Sequence, residues 1–184
     1  VDPNGHHTFI ASNEQPTASF NSDVVVASAE DNSSPLPKQI RDIVSTTNIL
    51  LIDGYALDDL KFHDLARVIA HARKSGAKFW FDPQAAVAHL VETNAPLVNY
   101  LLQNAHALFL TESEARILLH ASEKLGVSLD SEATSGHHDH ELQLRITAEK
   151  LFEAAHSLEL VVIKRGAAGA FALTRGNPNA AASC

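Results

Sequence analysis

The sequence predicts an α/β fold built on a parallel sheet, and three observations carry that prediction. From residue 48 onward, short apolar runs alternate with segments of helical period, the pattern of βαβ units. Each run is apolar at successive positions, as strands of parallel sheets are. Each run also ends in turn or helix-start residues. Right-handed crossovers then bring the strand C-termini to one edge, where ligands bind in open α/β sheets. The residues placed there are Asp53-Gly54, Asp82-Pro83, Thr111 to Glu114 and Lys164 to Gly169.

The elements follow in order. His7 to Ala11 and the β-branched Asp23 to Ser28 read as strands, separated by a polar loop and followed by the breaker cluster AEDNSSPLP. A helix is predicted over Lys38 to Ser45. Ile49 to Ile52 is a strand ending at Asp53-Gly54. Asp58, as N-cap, opens a helix that carries Leu60, Leu65, Val68, Ile69 and Ala72 on one face and ends at Gly76. Ala77 to Phe81 is the next strand, closed by Asp82-Pro83. Its aromatic trio Phe79, Trp80 and Phe81 reads as core. Two short helices cover 85–93 and 96–103. His106 to Leu110 is a strand, and Glu112 opens a helix through His120, its charge favoured at a helix N-terminus. Residues 126–141 are polar and acidic and read as an inserted flexible loop. A helix over Leu142 to His156 then leads into a strand at 160–163.

Composition narrows the function classes. The chain has 184 residues, 45% apolar and 20% charged, with a net charge of −8, and a pI near 5.7. An acidic balance without a Lys/Arg stripe argues against nucleic acid as a partner, and no apolar run reaches the roughly 20 residues of a membrane span. The single cysteine, Cys184, cannot form an intrachain disulfide. The chain contains no Met, so the N-terminus of the protein is expected to precede Val1. The run His137-His138-Asp139-His140 lacks a second ligand cluster at fixed spacing, and reads as a solvated loop rather than a metal site.

In Lys164-Arg165-Gly166-Ala167-Ala168-Gly169 two glycines sit three apart at a strand end. Glycine permits positive φ and close backbone approach, so successive N–H groups can face an anion, with Lys164 adding charge. A hairpin between antiparallel strands is the alternative reading. Asp53 and Asp82 are either substrate contacts or caps of the turns that follow.

Taken in order, ILLIDGYALDDL, KFWFDPQ, ALFLTESEARILL and LVVIKRGAAGA resemble the central part of the ribokinase-like (PfkB) carbohydrate kinases. The resemblance spans about residues 1–174, and plant members are closest in wording. It implies a doubly wound, mostly parallel sheet with helices on both faces. It makes residues 1–28 the remnant of a small β lid and 48–174 the α/β core of one partial kinase domain. The implied activity is transfer of the ATP γ-phosphoryl group to a sugar hydroxyl with Mg2+. Glu114 takes the Glu position of the metal–phosphate network, with Mg2+ held through water. Lys164, Gly166 and Gly169, with Thr111, take nucleotide positions, and Asp53, Gly54 and Asp82 lie toward substrate.

Thr111 stands where the family has Asn, and Ala86 stands where FDP is often followed three residues on by Arg. The Gly-Ala-Gly-Asp segment with the catalytic Asp has no counterpart, and is expected beyond Cys184. The chain alone is therefore expected to be inactive. The tail GNPNAAASC departs from the strand the family has next. Two other readings stand beside the sugar kinase: a nucleoside kinase of the same fold, toward which Gly54-Tyr55 leans, and a truncated, non-catalytic paralogue binding nucleotide or a partner. Lid strands that pair between subunits imply a homodimer. The compartment implied is the cytoplasm, with a plastid location open.

Overall fold

The computed structural model describes residues 36–59, 61–124 and 140–183, with the side chains of 58, 59, 123, 124 and 177–183 left aside. The expected strands at 7–11 and 23–28, the lid they imply, and residues 126–139 of the insertion lie outside the described residues. Six strands form one sheet in sequence order: Ile49–Asp53 (β1), Lys78–Asp82 (β2), Ala107–Thr111 (β3), Leu160–Lys164 (β4), Ala170–Thr174 (β5) and Asn177–Ser183 (β6). β1 to β4 pair in parallel, and β5 and β6 return antiparallel. Among the described residues seven α-helices accompany them: Lys38–Ser45 (α1), Ala56–Asp59 (α2), Phe62–Lys74 (α3), Ala86–Thr93 (α4), Ala95–Asn104 (α5), Glu112–Lys124 (α6) and His140–Ala154 (α7). The mostly parallel α/β architecture is the one the sequence predicts.

Alternate strand residues form the core. Leu50 and Ile52, Phe79 and Phe81, Leu108 and Leu110, Val161 and Ile163, and Phe171 and Leu173 are all buried. Parallel strands that follow one another in sequence order, joined by right-handed crossovers, put their connecting helices on one face. Leu65, Ile69, Leu101, Leu118 and Leu151 of those helices close over these residues. Burying each such side chain contributes about 1.5–3 kcal/mol, so this one interface dominates the stability. The opposite face is less covered. Leu51 is 50% exposed, and Trp80 is half-buried against Phe109, with ring centroids 5.4 Å apart. Of the aromatic trio assigned to the core, Phe79 and Phe81 belong there and Trp80 lies on this other face. Successive residues of a strand must point to opposite sides.

Several boundaries are corrected. The helix expected from Asp58 is two helices, and Asp58 lies inside the first of them. Asp53 supplies the cap instead, its Oδ1 accepting from Ala56 N–H at 3.0 Å. The end at Gly76 is as read. Gly76 has φ 88, its N–H donates to the Arg73 carbonyl, and Ala77 N–H donates to that of Ala72, the paired bonds of a Schellman stop. The helix expected from Leu142 begins two residues earlier, at His140. The tail, read as departing from the next strand, forms β6 along the edge of β5. Backbone pairing needs no large side chains, so a run of Asn and Ala can still extend the sheet.

At the opposite edge from the strand C-termini, His106 joins the strands before β3 begins. Its backbone N–H donates to the Phe79 carbonyl at 2.7 Å, and its Nδ1 accepts from Phe79 N–H at 3.0 Å. Burial holds its pKa below the usual 6.5, helped by the nearby charges of Lys78 and Arg73. The fold therefore favours the neutral ring. Its contribution to stability is complete above the ordinary histidine value and is lost as pH falls through the lowered one. Denaturation of the wild type and of His106→Gln should show the stability difference moving against the histidine form between about pH 7.5 and about pH 5. A constant difference across that range would contradict this assignment.

Candidate active site

The C-terminal edge gathers the polar residues that the sequence placed there. Asp53 and Asp82 are register partners at the ends of β1 and β2, and Thr111 and Lys164 are partners at the ends of β3 and β4. Across β3, the Lys164 ammonium donates to both oxygens of Asp82 at 2.8 Å. The pair is partly exposed, with side chains 38% and 22% accessible. Pairs of this exposure contribute about 0–1 kcal/mol, so its main effect is to hold a cation and an anion at fixed positions on the edge.

The loops after β1 and β2 interlock. Gly54 N–H donates to the Asp82 carbonyl at 2.9 Å. A Cβ on Gly54 would stand 1.9 Å from the Pro83 carbonyl oxygen, so only glycine allows this approach. Gln84 follows in a left-handed conformation with φ 51, unusual for a residue with a side chain, and its carbonyl accepts from Val87 N–H. Sequence reasoning missed Gln84, since a glutamine after Asp-Pro carries no left-handed signal.

Thr111 and Glu114 cap α6 reciprocally. Glu114 Oε2 accepts from Thr111 N–H at 2.8 Å, and Thr111 Oγ1 accepts from Glu114 N–H at 3.3 Å. This is a capping box. It buries Glu114 to 9% exposure and fixes its carboxylate at the mouth of the edge. Its Oε1 accepts no hydrogen bond among the described residues.

The glycine turn is both a hairpin and an exposed donor surface. It links antiparallel β4 and β5 through a 3-10 turn over Gly166–Ala168. Gly166 and Gly169 have φ 58 and 82, and the ψ of −137 at Gly169 leaves that position to glycine. Arg165 closes the turn at both ends. Its N–H donates to the Gly169 carbonyl and its carbonyl accepts from Ala168 N–H, while Gly169 N–H bonds the Gly166 carbonyl. The amides of Gly166 and Ala167, at the start of the 3-10 turn, remain outside these bonds.

Behind the turn, Glu112 meets an imidazole and two guanidinium groups. His140 Nε2 lies 3.1 Å from its Oε2, Arg116 Nη2 lies 3.6 Å away, and Arg165 Nε lies 4.0 Å from its Oε1. Glu112 was assigned only to the helix N-terminus and His140 only to a solvated loop. Glu112 does begin α6, as read, and His140 is corrected to the start of α7; the cluster they form borders a cavity of about 330 Å³ between α6, α7 and β4. His137, His138 and Asp139 lie outside the described residues.

These donors fit a nucleoside triphosphate, with two free amides and Lys164 for phosphate and a buried carboxylate beside them. Among the described residues no group of three His, Cys, Asp or Glu converges on a metal position. Glu114 is the residue that would hold a Mg2+ through water, and the ion would supply positive charge to a bound phosphate. Asp53, read as a cap or a substrate contact, is engaged as a cap.

No protein-family model matches the chain, and no curated protein sequence does. Solved structures do match. Arabidopsis thaliana ribokinase, complexed with ribose and ATP, is 16% identical with a TM-score of 0.55, over 82% of this chain and 38% of that one. An E. coli protein assigned as ribokinase II, complexed with ATP and Mg2+, is 16% identical with a TM-score of 0.53, over 78% of this chain and 39% of that one. Adenosine kinase from Sinorhizobium meliloti is 14% identical with a TM-score of 0.51, over 78% and 36% respectively. The fold is thus the ribokinase-like one, and the chain spans under two-fifths of the length of each of these three structures.

The Gly54 approach supplies a direct check. Gly54→Ala should lower unfolding stability by about 1–3 kcal/mol, as overpacked sites do, read from the urea midpoint at constant m-value. A shift within about 0.5 kcal/mol, the usual range of a surface substitution, would mean that the two loops separate freely.

Proposed function

We propose that the protein containing this chain is an ATP-dependent carbohydrate kinase, whose nucleotide binds at the Gly166–Gly169 turn and whose acceptor lies toward Asp53 and Asp82. One observation carries the reading: the exposed turn with two free amides sits on the same strand edge as the Asp82–Lys164 pair and the buried Glu114. The ribokinase-like fold is consistent with it.

Bound ATP would supply the γ-phosphoryl group, with Mg2+ spreading its charge. Phosphoryl transfer needs positioning and charge stabilisation more than covalent help, and the chain's residues suit that task. The amides of Gly166 and Ala167 orient phosphate oxygens. Lys164 offers positive charge while Asp82 fixes its place. Glu114 orders the water around the metal–phosphate group, and the capping box prevents its carboxylate from swinging away. The described residues assign no base to the acceptor hydroxyl.

A nucleoside acceptor is the second reading. Tyr55, next to Gly54 on the same edge, is 66% exposed, and an exposed ring offers a stacking surface for a base. Release of ADP with a panel of sugars and nucleosides distinguishes the two.

The same assay tests Glu114. Glutamine also serves the capping box, so Glu114→Gln keeps the helix start and removes only the charge. In the catalytically active protein it should lower kcat about 100-fold, the scale of lost electrostatic stabilisation, with acceptor KM little changed. Unchanged turnover would remove Glu114 from the mechanism.

A further inference from the structure

The proposed mechanism leaves His140 unused, although it begins α7 and touches two other elements. We propose that His140 is a positioning residue for the nucleotide turn, holding Arg165, and with it Gly166–Gly169, against Glu112 at the start of α6. The inference rests on the nucleotide reading of that turn.

The chemistry of the three groups fixes their protonation. Arg165 Nη2 lies 3.0 Å from His140 Nδ1. A guanidinium has only donors, so Nδ1 accepts. His140 Nε2 lies 3.1 Å from Glu112 Oε2. An ionised carboxylate only accepts, so Nε2 carries the proton. The bridge therefore uses the neutral ring with its hydrogen on Nε2. A second proton on Nδ1 would set one N–H against another and place two cations together.

The bridge also has mechanical consequence. Arg165 closes the turn through its own N–H and carbonyl, so anchoring its side chain anchors the turn. Its Nε is buried and finds no hydrogen-bond partner among the described residues, leaving the Nη2 bond and the attraction of Glu112 to fix the guanidinium. Glu112 lies two residues before Glu114 on α6. His140 thereby sets the distance between the phosphate-facing amides and the carboxylate behind them. The charged groups facing it are Glu112 and Arg116 from α6 and Arg165 from the turn, with Glu141 beside it on α7.

A glutamine can reproduce the neutral imidazole, with an amide N–H for Glu112 and a carbonyl for Arg165. The test is calorimetric binding of MgATP to the full chain as wild type, His140→Ala and His140→Gln. His140→Ala should weaken binding about tenfold, the scale of a lost charge-assisted hydrogen bond, and His140→Gln should restore it. Nitrogen NMR should find the imidazole proton on Nε2. A His140→Ala chain with a lower melting temperature but unaltered MgATP affinity would overturn the proposal, because His140 would then only stabilise α7. So would a folded His140→Gln chain that fails to recover affinity, or a proton found on Nδ1. A wild-type chain that binds no MgATP would instead overturn the nucleotide reading, and this proposal with it.

Discussion

Parallel pairing of β1 to β4 is the constraint on which the rest of the structure depends. Strands that run the same way cannot be joined by short turns, so each connection must cross the sheet as a helix. The crossovers carry Leu65, Leu101, Leu118 and Leu151 over Phe79, Phe81, Leu108 and Ile163, which forms the core. The same constraint returns every chain reversal after β1, β2, β3 and β4 to one edge. Asp53, Asp82, Thr111 and Lys164 are distant in sequence and neighbours in space because they end these strands.

What the edge adds is rigidity. The charged candidate side chains on it have structural partners: Asp53 with Ala56, Asp82 with Lys164, Glu114 with Thr111, and Arg165 with His140. A cap or an exposed ion pair contributes little free energy compared with the buried sheet face. Each one does remove rotamers from a charged group, however, and a preorganised charge spends no reorganisation when a ligand arrives. Capping and catalysis are therefore compatible roles for Glu114. The glycine turn is a hairpin in its connectivity, and the amides of Gly166 and Ala167 that stay outside its bonds are the ones proposed to meet phosphate.

The sheet was legible because it rests on patterns that a sequence displays directly. Buried strands are apolar runs, and Gly76 ends α3 by the backbone conformation that glycine favours. Thr111 and Glu114 were found as candidates, but the spacing that makes them a reciprocal cap was not read as one. The sequence offers Asp58 as the N-cap of one long helix and Asp53 as a cap or a substrate contact, and only the tertiary path shows that a four-residue helix intervenes. His140 escaped because its partners, Glu112 and Arg165, lie 28 and 25 residues away. Trp80 was placed with its neighbours by hydrophobicity, whereas the pleat sends it to the other face. The strand at 177–183 was missed since its pairing is made by backbone, which composition does not reveal.

Binding of nucleotide phosphate at the glycine turn is the proposal on which the functional reading stands. The most direct measurement is a titration of the isotopically labelled chain with a non-hydrolysable MgATP analogue, followed by amide NMR. The largest shifts should fall on Gly166 and Ala167, with smaller ones near Thr111 and Glu114. Saturable shifts confined to another surface, or none at the turn at millimolar ligand, would contradict it.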